Sequence, residues 1–225
     1  MSIKAAEIAV LAMIFSARLN AQDEHEYLKL NTNLGMGVTV PLNPTARLAG
    51  ASANAVAGAG YNFDKHHSII GQFMWSGLPP NRDALRPISL AAQLRGISGS
   101  SNLFTLTANY RFMMQGRTFG AYLIGGGGMY YRHSRLLREV VVGTGTVCGP
   151  SWLWWGFGCV SGNVSDDQTL VSAGSTAFGG NAGVGFTIRI NKEGYKFYVE
   201  SRYHYAPNRN ISTQLIPITL GFAWR

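Results

Sequence analysis

The fold class this sequence predicts is an all-β, eight-stranded antiparallel transmembrane β-barrel, and three observations predict it. Apolar side chains alternate with small, polar or charged ones, period two, in segment after segment. The connections between these segments are short and long in turn. Charged residues make up only 13% of the chain, while glycine supplies 28 of 225 residues, a balance foreign both to an ordinary soluble enzyme and to disorder.

The amino terminus, "MSIKAAEIAVLAMIFSARLNAQ", has one early lysine and an apolar run, Ile8 to Phe15, too short to span a bilayer as a helix. Small residues follow, and Ala21 before Gln22 is a cleavage point. Residues 1–21 are therefore expected to be a signal peptide and 22–225 the mature barrel; a buried first helix is the alternative. The net charge of +8 becomes about +7 without that segment. The basic residues are scattered singly and no nucleic-acid motif accompanies them, so an anionic membrane surface is the expected counterpart rather than nucleic acid.

The strands follow in order, from about residue 31 to 225. "NLGMGVTV" sets Leu34, Met36, Val38 and Val40 against Gly35, Gly37 and Thr39. Residues 51–63 and 68–77 form the second and third. "FTLTANYRF" turns Phe104, Leu106, Ala108, Tyr110 and Phe112 one way and Thr105, Thr107, Asn109 and Arg111 the other. Residues 118–132 form the fifth strand, whose facing the run Gly125–Gly128 hides. "NAGVGFTIRI" opposes Val184, Phe186, Ile188 and Ile190 to Gly183, Gly185, Thr187 and Arg189. "FYVESRYHY" opposes Phe197, Val199, Tyr203 and Tyr205 to Tyr198, Glu200, Arg202 and His204. In the last strand Ile216, Ile218, Leu220, Phe222 and Trp224 share a face, and Leu215 breaks the pattern. Short turns fall at "DKHH", "MMQGR" and "NKEGYK"; long connections fall at 41–50, 78–100, about 133–172 and 206–212. A sheet in lipid has no water to satisfy its edges, so it must close.

The alternating final strand with its terminal aromatic, the segment "YVESRYHYAP" and the turn alternation resemble the small eight-stranded outer-membrane barrels of the OmpA transmembrane-domain type. The resemblance covers about residues 28–225. It implies a protein of the outer membrane of a Gram-negative-type bacterium, in contact with outer-membrane lipid including lipopolysaccharide. It also implies a last strand, Ile216, Ile218, Leu220, Phe222 and Trp224, read by the barrel-assembly machinery, although here Arg225 follows the aromatic. Members of such families are structural elements, adhesins, narrow channels or lipid-acting enzymes, so fold alone does not choose.

An eight-stranded barrel is filled by its own side chains. The alternation points Arg111, Arg189, Glu200, Arg202 and His204 inward, with Gln72 and Asn109 beside them, and Glu200 is expected to pair with an arginine. This set reads as a structural polar plug. Inward glycines at 35, 37, 58, 60, 183, 185 and 221 would leave room for water and keep a narrow conduit as the alternative. Catalysis is not expected: His133 and Ser134 are adjacent and so point apart, and Glu200 and His204 lie about 13 Å apart along one strand. His66 and His67 fall in a short turn and are expected to be solvated. No cofactor or metal site is expected.

"CGPSWLWWGFGC" lies in the third long loop. In an oxidising compartment Cys148 and Cys159 are expected to form a disulfide holding Trp152, Trp154, Trp155 and Phe157 in an aromatic surface-contact tip. A tip folded over the barrel mouth, an extended strand pair with its tryptophans at the lipid interface, and mere packing within the loop are the alternatives. Arg132, Arg135 and Arg138, with Arg82, Arg86 and Arg95 from the second loop, could meet lipopolysaccharide phosphates. The reading is of a monomeric barrel with an envelope-structural and surface-interaction role, the surface partner being unnamed by the sequence.

Overall fold

A computed structural model describes residues 29–81, 83–86, 97–150, 157–191, 194–208 and 211–224. The expected signal peptide and the acidic segment "DEHE" lie outside the described residues, as do Trp152, Trp154, Trp155, Arg82 and Arg95, and the side chain of Phe157.

Eight antiparallel strands close into a barrel in sequence order. They are β1 (Leu30–Pro41), β2 (Ser52–Asn62), β3 (His67–Gly77), β4 (Ile97–Gln115), β5 (Phe119–Pro150), β6 (Phe157–Arg189), β7 (Lys196–Ala206) and β8 (Thr213–Trp224). Closure comes from β1 against β8, in register from Thr32↔Trp224 to Pro41↔Leu215. No helix among the described residues is long and apolar enough to cross a membrane; the strands do the crossing.

The period-two alternation sorts side chains as the sequence requires. Outside lies a belt of exposed apolar residues that includes Met36, Leu106, Phe186, Leu220 and Phe222, with Met36 73% exposed. Inside lie Thr107, Asn109, Arg111, Glu200, Arg202 and His204, all under 9% exposed. Greasy outside and polar inside is the inverse of a soluble barrel, and only lipid makes that surface stable. Aromatics flank the belt: Phe73, Phe104, Tyr131 and His133 stack in series at 6.2, 6.4 and 6.4 Å toward the long-loop end. Rings of this kind suit the interface, where one edge is wet and the other apolar.

The short turns are held locally. In the β2–β3 turn, Asp64 accepts the backbone N–H groups of His66 and His67 at 2.6 and 2.7 Å. The His66 N–H bond is the larger cause holding the Asp64 carboxyl below its usual range. His66 and His67 are not merely solvated: His66 Nδ1 reaches the Met113 carbonyl at 2.9 Å, and His67 pairs with the Tyr110 hydroxyl. The β6–β7 turn passes through Gly194 at φ 99°, a left-handed conformation that a side chain would disfavour.

Leu215 breaks the apolar-out pattern of β8 as expected: it faces inward, fully buried, one step out of phase with Ile216. Two expectations need correction. Residues 133–150 and 157–172 are strand where a loop was expected, because β5 and β6 run on as a paired ribbon to Pro150↔Phe157. The inward glycines do not make room for water. A Cβ at Gly185 would meet the Tyr122 ring, one at Gly221 the Tyr198 ring, and one at Gly183 the Arg202 side chain. At Gly35, Gly58 and Gly185 the first atom met belongs to a side chain, and at Gly37, Gly60, Gly183 and Gly221 it is a backbone carbonyl oxygen of the neighbouring strand, so these glycines serve close packing of the wall.

Candidate functional site

The lumen is built in tiers. Nearest the short turns, Lys196 donates to Gln115 Oε1 at 2.5 Å and Asn31 donates to Asn62 Oδ1 at 2.6 Å. One tier further in, Glu200 accepts the Tyr122 hydroxyl at 2.8 Å through Oε2, while Oε1 lies 2.6 Å from Arg202 Nε. Arg111 donates to Ser68 Oγ at 3.1 Å and places its guanidinium 5.6 Å from the centre of the Tyr122 ring. Above these, Asn181 donates to Asn109 and Asn109 to Thr107, at 2.8 and 2.9 Å, and His204 Nδ1 meets the Tyr130 hydroxyl at 2.9 Å. Gln72 is buried on the same inner wall.

Toward the long loops the lining changes character. Val56, Met74, Leu78, Leu103, Tyr130, Ala206 and Leu215 pack into one buried cluster, and Leu103 and Leu215 are fully inaccessible. The connection after β1 folds over this cluster. A short 3-10 turn, Thr45–Arg47, buries Thr45, whose Oγ1 donates to the Ser212 carbonyl and accepts the Gln214 N–H. Gly50 N–H bonds to the Pro79 carbonyl and Asn81 N–H to the Leu48 carbonyl, tying the first long loop to the second. Ala49 completes the apolar cluster from above. Beside the cluster Asn54 donates to Thr39 at 3.1 Å, and Thr39 and Ser76 share a hydrogen bond of 2.9 Å, all three buried, so polar atoms at this level are engaged with one another beneath the hydrogen-bonded loops.

Of the residues predicted for the interior, Gln72, Asn109, Arg111, Glu200, Arg202 and His204 lie there. Arg189 does not join them: it is half-buried at the end of β6, and among the described residues no hydrogen bond or ion pair links its side chain to the network. Tyr122, Tyr130 and Lys196 were missed. The glycine run concealed the phase of β5, although Leu123 outward and Tyr122 inward follow from Phe119. Lys196 reads as turn, yet it is in phase with Tyr198 and Glu200.

The second candidate is the ribbon. Pairing of β4 with β5 stops at Ile97↔Arg138, and pairing of β6 with β7 stops at Gly180↔Tyr205. Beyond these points β5 and β6 pair only with each other among the described residues, bulging between Leu136 and Leu137 and between Val141 and Gly143. Twelve steps from Arg138 to Pro150 carry the ribbon roughly 40 Å beyond the barrel wall. Cys148 and Cys159 are directly opposed, 4.1 Å apart at Cα, and form a disulfide near the tip.

Among the described residues the adjacent His133 and Ser134 do not pair with each other. Ser134 contacts Ser101 rather than His133, as the opposite facing requires. His133 Nε2 reaches Ser172 Oγ at 3.0 Å across the ribbon base, while the neighbouring Asn102 Oδ1 is occupied by the Trp75 N–H. Glu200 and His204 do not meet; each has the partner named above.

An even number of antiparallel strands, a lipid-suited belt, short turns at one end and long extensions at the other together decide the class. The chain is an integral eight-stranded barrel of the outer-membrane type. No protein-family model and no curated protein sequence matches it. Among solved structures it is similar to Ail, the attachment invasion locus protein of Yersinia pestis, in complex with the heparin analogue sucrose octasulfate (13% identity, 88% of this chain and 100% of that one, TM-score 0.48). It is similar also to Neisserial surface protein A (10% identity, 87% and 94%, TM-score 0.46). A third similar structure is the N-terminal β-barrel domain of Pseudomonas aeruginosa OprF (10% identity, 88% and 100%, TM-score 0.43).

Proposed function

We propose that this barrel is a monomeric component of a Gram-negative-type outer membrane whose lumen is structural and whose work is done at the cell surface by the β5–β6 ribbon. The ribbon carries the reading. Two strands that outrun their barrel partners present main-chain donors and acceptors along their outer edges, and such edges recruit another polypeptide by strand addition. Natural proteins usually blunt exposed edges with lysine or proline. From Val160 to Ala177 the β6 sequence holds no lysine, arginine or proline, and its charged residues are Asp166 and Asp167. The disulfide holds the two strands together where a bare ribbon would fray. The tryptophans at 152, 154 and 155 are proposed to add an apolar contact at the tip.

The remaining assignments follow from position. Residues 1–21 direct export and are removed. The final strand through Trp224 is read by the assembly machinery. The exposed Arg135 and Arg138, at the foot of the ribbon, face lipopolysaccharide phosphates. The protein is proposed not to be an enzyme.

The test is attachment by cells displaying the intact barrel or one in which residues 139–167 are replaced by a two-residue Asn-Gly turn closing the Arg138↔Gln168 pair. Both forms should reach the outer membrane in equal amounts and keep the folded, heat-modifiable gel mobility. The reading expects attachment to protein-coated surfaces to fall to the level of cells without the barrel. Equal attachment by the two forms would refute it.

A further inference from the structure

The two free edges of the ribbon differ in length and in charge. On β5 the free stretch is Glu139–Pro150, with the exposed Arg135 and Arg138 at its foot. On β6 pairing with β7 stops at Gly180, and the connection after β7 reaches only as far as Ser175, whose Oγ accepts a hydrogen bond from the Asn208 side chain at 2.7 Å. From Gly174 to Val160, among the described residues, β6 pairs with β5 alone. Charge divides along the same line. Between Glu139 and Phe178 the chain holds no lysine, arginine or histidine, and its charged residues are Glu139, Asp166 and Asp167, in a protein of net charge +8. The register sets Glu139 opposite Asp167 and Val140 opposite Asp166. Like charges opposed on a ladder are destabilising. Arg138, in register with Gln168, makes no ion pair with Asp166 among the described residues.

We propose that the β6 edge from Val160 to Gly174 takes up an extended, lysine- or arginine-rich segment of another protein as an added strand. The inference rests on the surface reading above and names the edge used and the chemistry of the partner. Main-chain hydrogen bonds are on offer at either edge, so they supply affinity without choosing between the two. Charge makes the choice. A segment added to β6 runs beside Asp166 and Asp167 and lies about 10 Å, two strand spacings, from β5 and its arginines. A segment added to β5 lies instead next to Arg135 and Arg138, which repel a basic partner. A cation brought in along β6 also relieves the opposition of Glu139 and Asp167.

The experiment is binding of three short labelled peptides to the whole folded barrel in nanodiscs of zwitterionic lipid, read by fluorescence anisotropy. One peptide alternates lysine with threonine and one alternates glutamate with threonine. The third is the lysine peptide methylated at every threonine amide nitrogen, which keeps the charge and removes main-chain donors. The lysine peptide should bind, the glutamate peptide should not, and the methylated peptide should bind about tenfold more weakly or worse. Hydrogen exchange of the bound barrel should slow within residues 160–174 and not within 139–150. Glu139→Gln, Asp166→Asn and Asp167→Asn together should weaken the lysine peptide about tenfold in a barrel whose gel mobility is unchanged. Equal binding of the lysine peptide and either of the other two, protection on β5 in place of β6, or an unmoved affinity in the triple variant overturns the proposal. Loss of cell attachment on ribbon replacement, with no binding of the lysine peptide to the intact barrel, leaves the surface reading standing and overturns this inference alone. Attachment that survives ribbon replacement overturns the surface reading, whatever the peptides do.

Discussion

Replacing Glu200 by glutamine should destabilise the barrel far more than any exposed carboxylate does. Glu200 is 6% exposed, lies 2.6 Å from Arg202 and accepts the Tyr122 hydroxyl at 2.8 Å. Glutamine preserves the volume and one carbonyl acceptor for Tyr122, but it leaves the Arg202 guanidinium without its charge partner. Removing one member of a buried pair costs about 3–5 kcal/mol, and the retained acceptor places this variant near 3 kcal/mol. The assay is urea unfolding in lipid vesicles followed by tryptophan fluorescence. Asp166→Asn on the exposed ribbon serves as control and should shift stability by less than about 0.5 kcal/mol. Adding Arg202→Met to Glu200→Gln removes the stranded cation and should recover at least half of the loss, a coupling that a double-mutant cycle isolates. A single-variant loss below about 1 kcal/mol, or no recovery in the double variant, would refute the network described for the lumen.

Further expectations concern the ribbon and the packing of the wall. Reducing the Cys148–Cys159 bond should leave the barrel folded and heat-modifiable while exposing the ribbon to proteases. The chain-entropy model assigns a ring of this size about 2–3 kcal/mol, all of it local to the ribbon. Gly185→Ala should lower barrel stability by about 1–3 kcal/mol, because the new methyl meets the Tyr122 ring and pushes its hydroxyl off Glu200. Equal stability would show that Tyr122 yields without cost. Leu103→Ala should cost about 2–5 kcal/mol in the same unfolding assay, since Leu103 is fully buried in the seal.

Most of the barrel was legible because lipid and lumen impose opposite demands on successive residues. In β4, β7 and β8 no other assignment of faces satisfies both. Where one demand lapses, legibility lapses with it. Gly125–Gly128 carry no side chains to sort, so the phase of β5, and with it Tyr122 and Tyr130, stayed hidden. Above the membrane neither face of the ribbon has to be apolar, and "SGNVSDDQTLVSAGST" therefore reads as loop although it pairs residue by residue with β5. The apolar seal was obscured by the converse effect. Leu103 and Leu215 face inward where the alternation had reserved polar residues, because loops cover that end of the lumen and a dry core is stable there.

The central claim is that the lumen is a sealed core and that the protein acts through its outer surface. Single-channel recording of the folded barrel in a planar bilayer, with and without reductant, tests it most directly. The account predicts silence in both conditions, because the seal of Leu78, Leu103 and Leu215 lies within the barrel and does not depend on the disulfide. Steady discrete openings in the unreduced protein would contradict the seal and make the barrel a conduit. Openings confined to reductant would make the ribbon tip its lid.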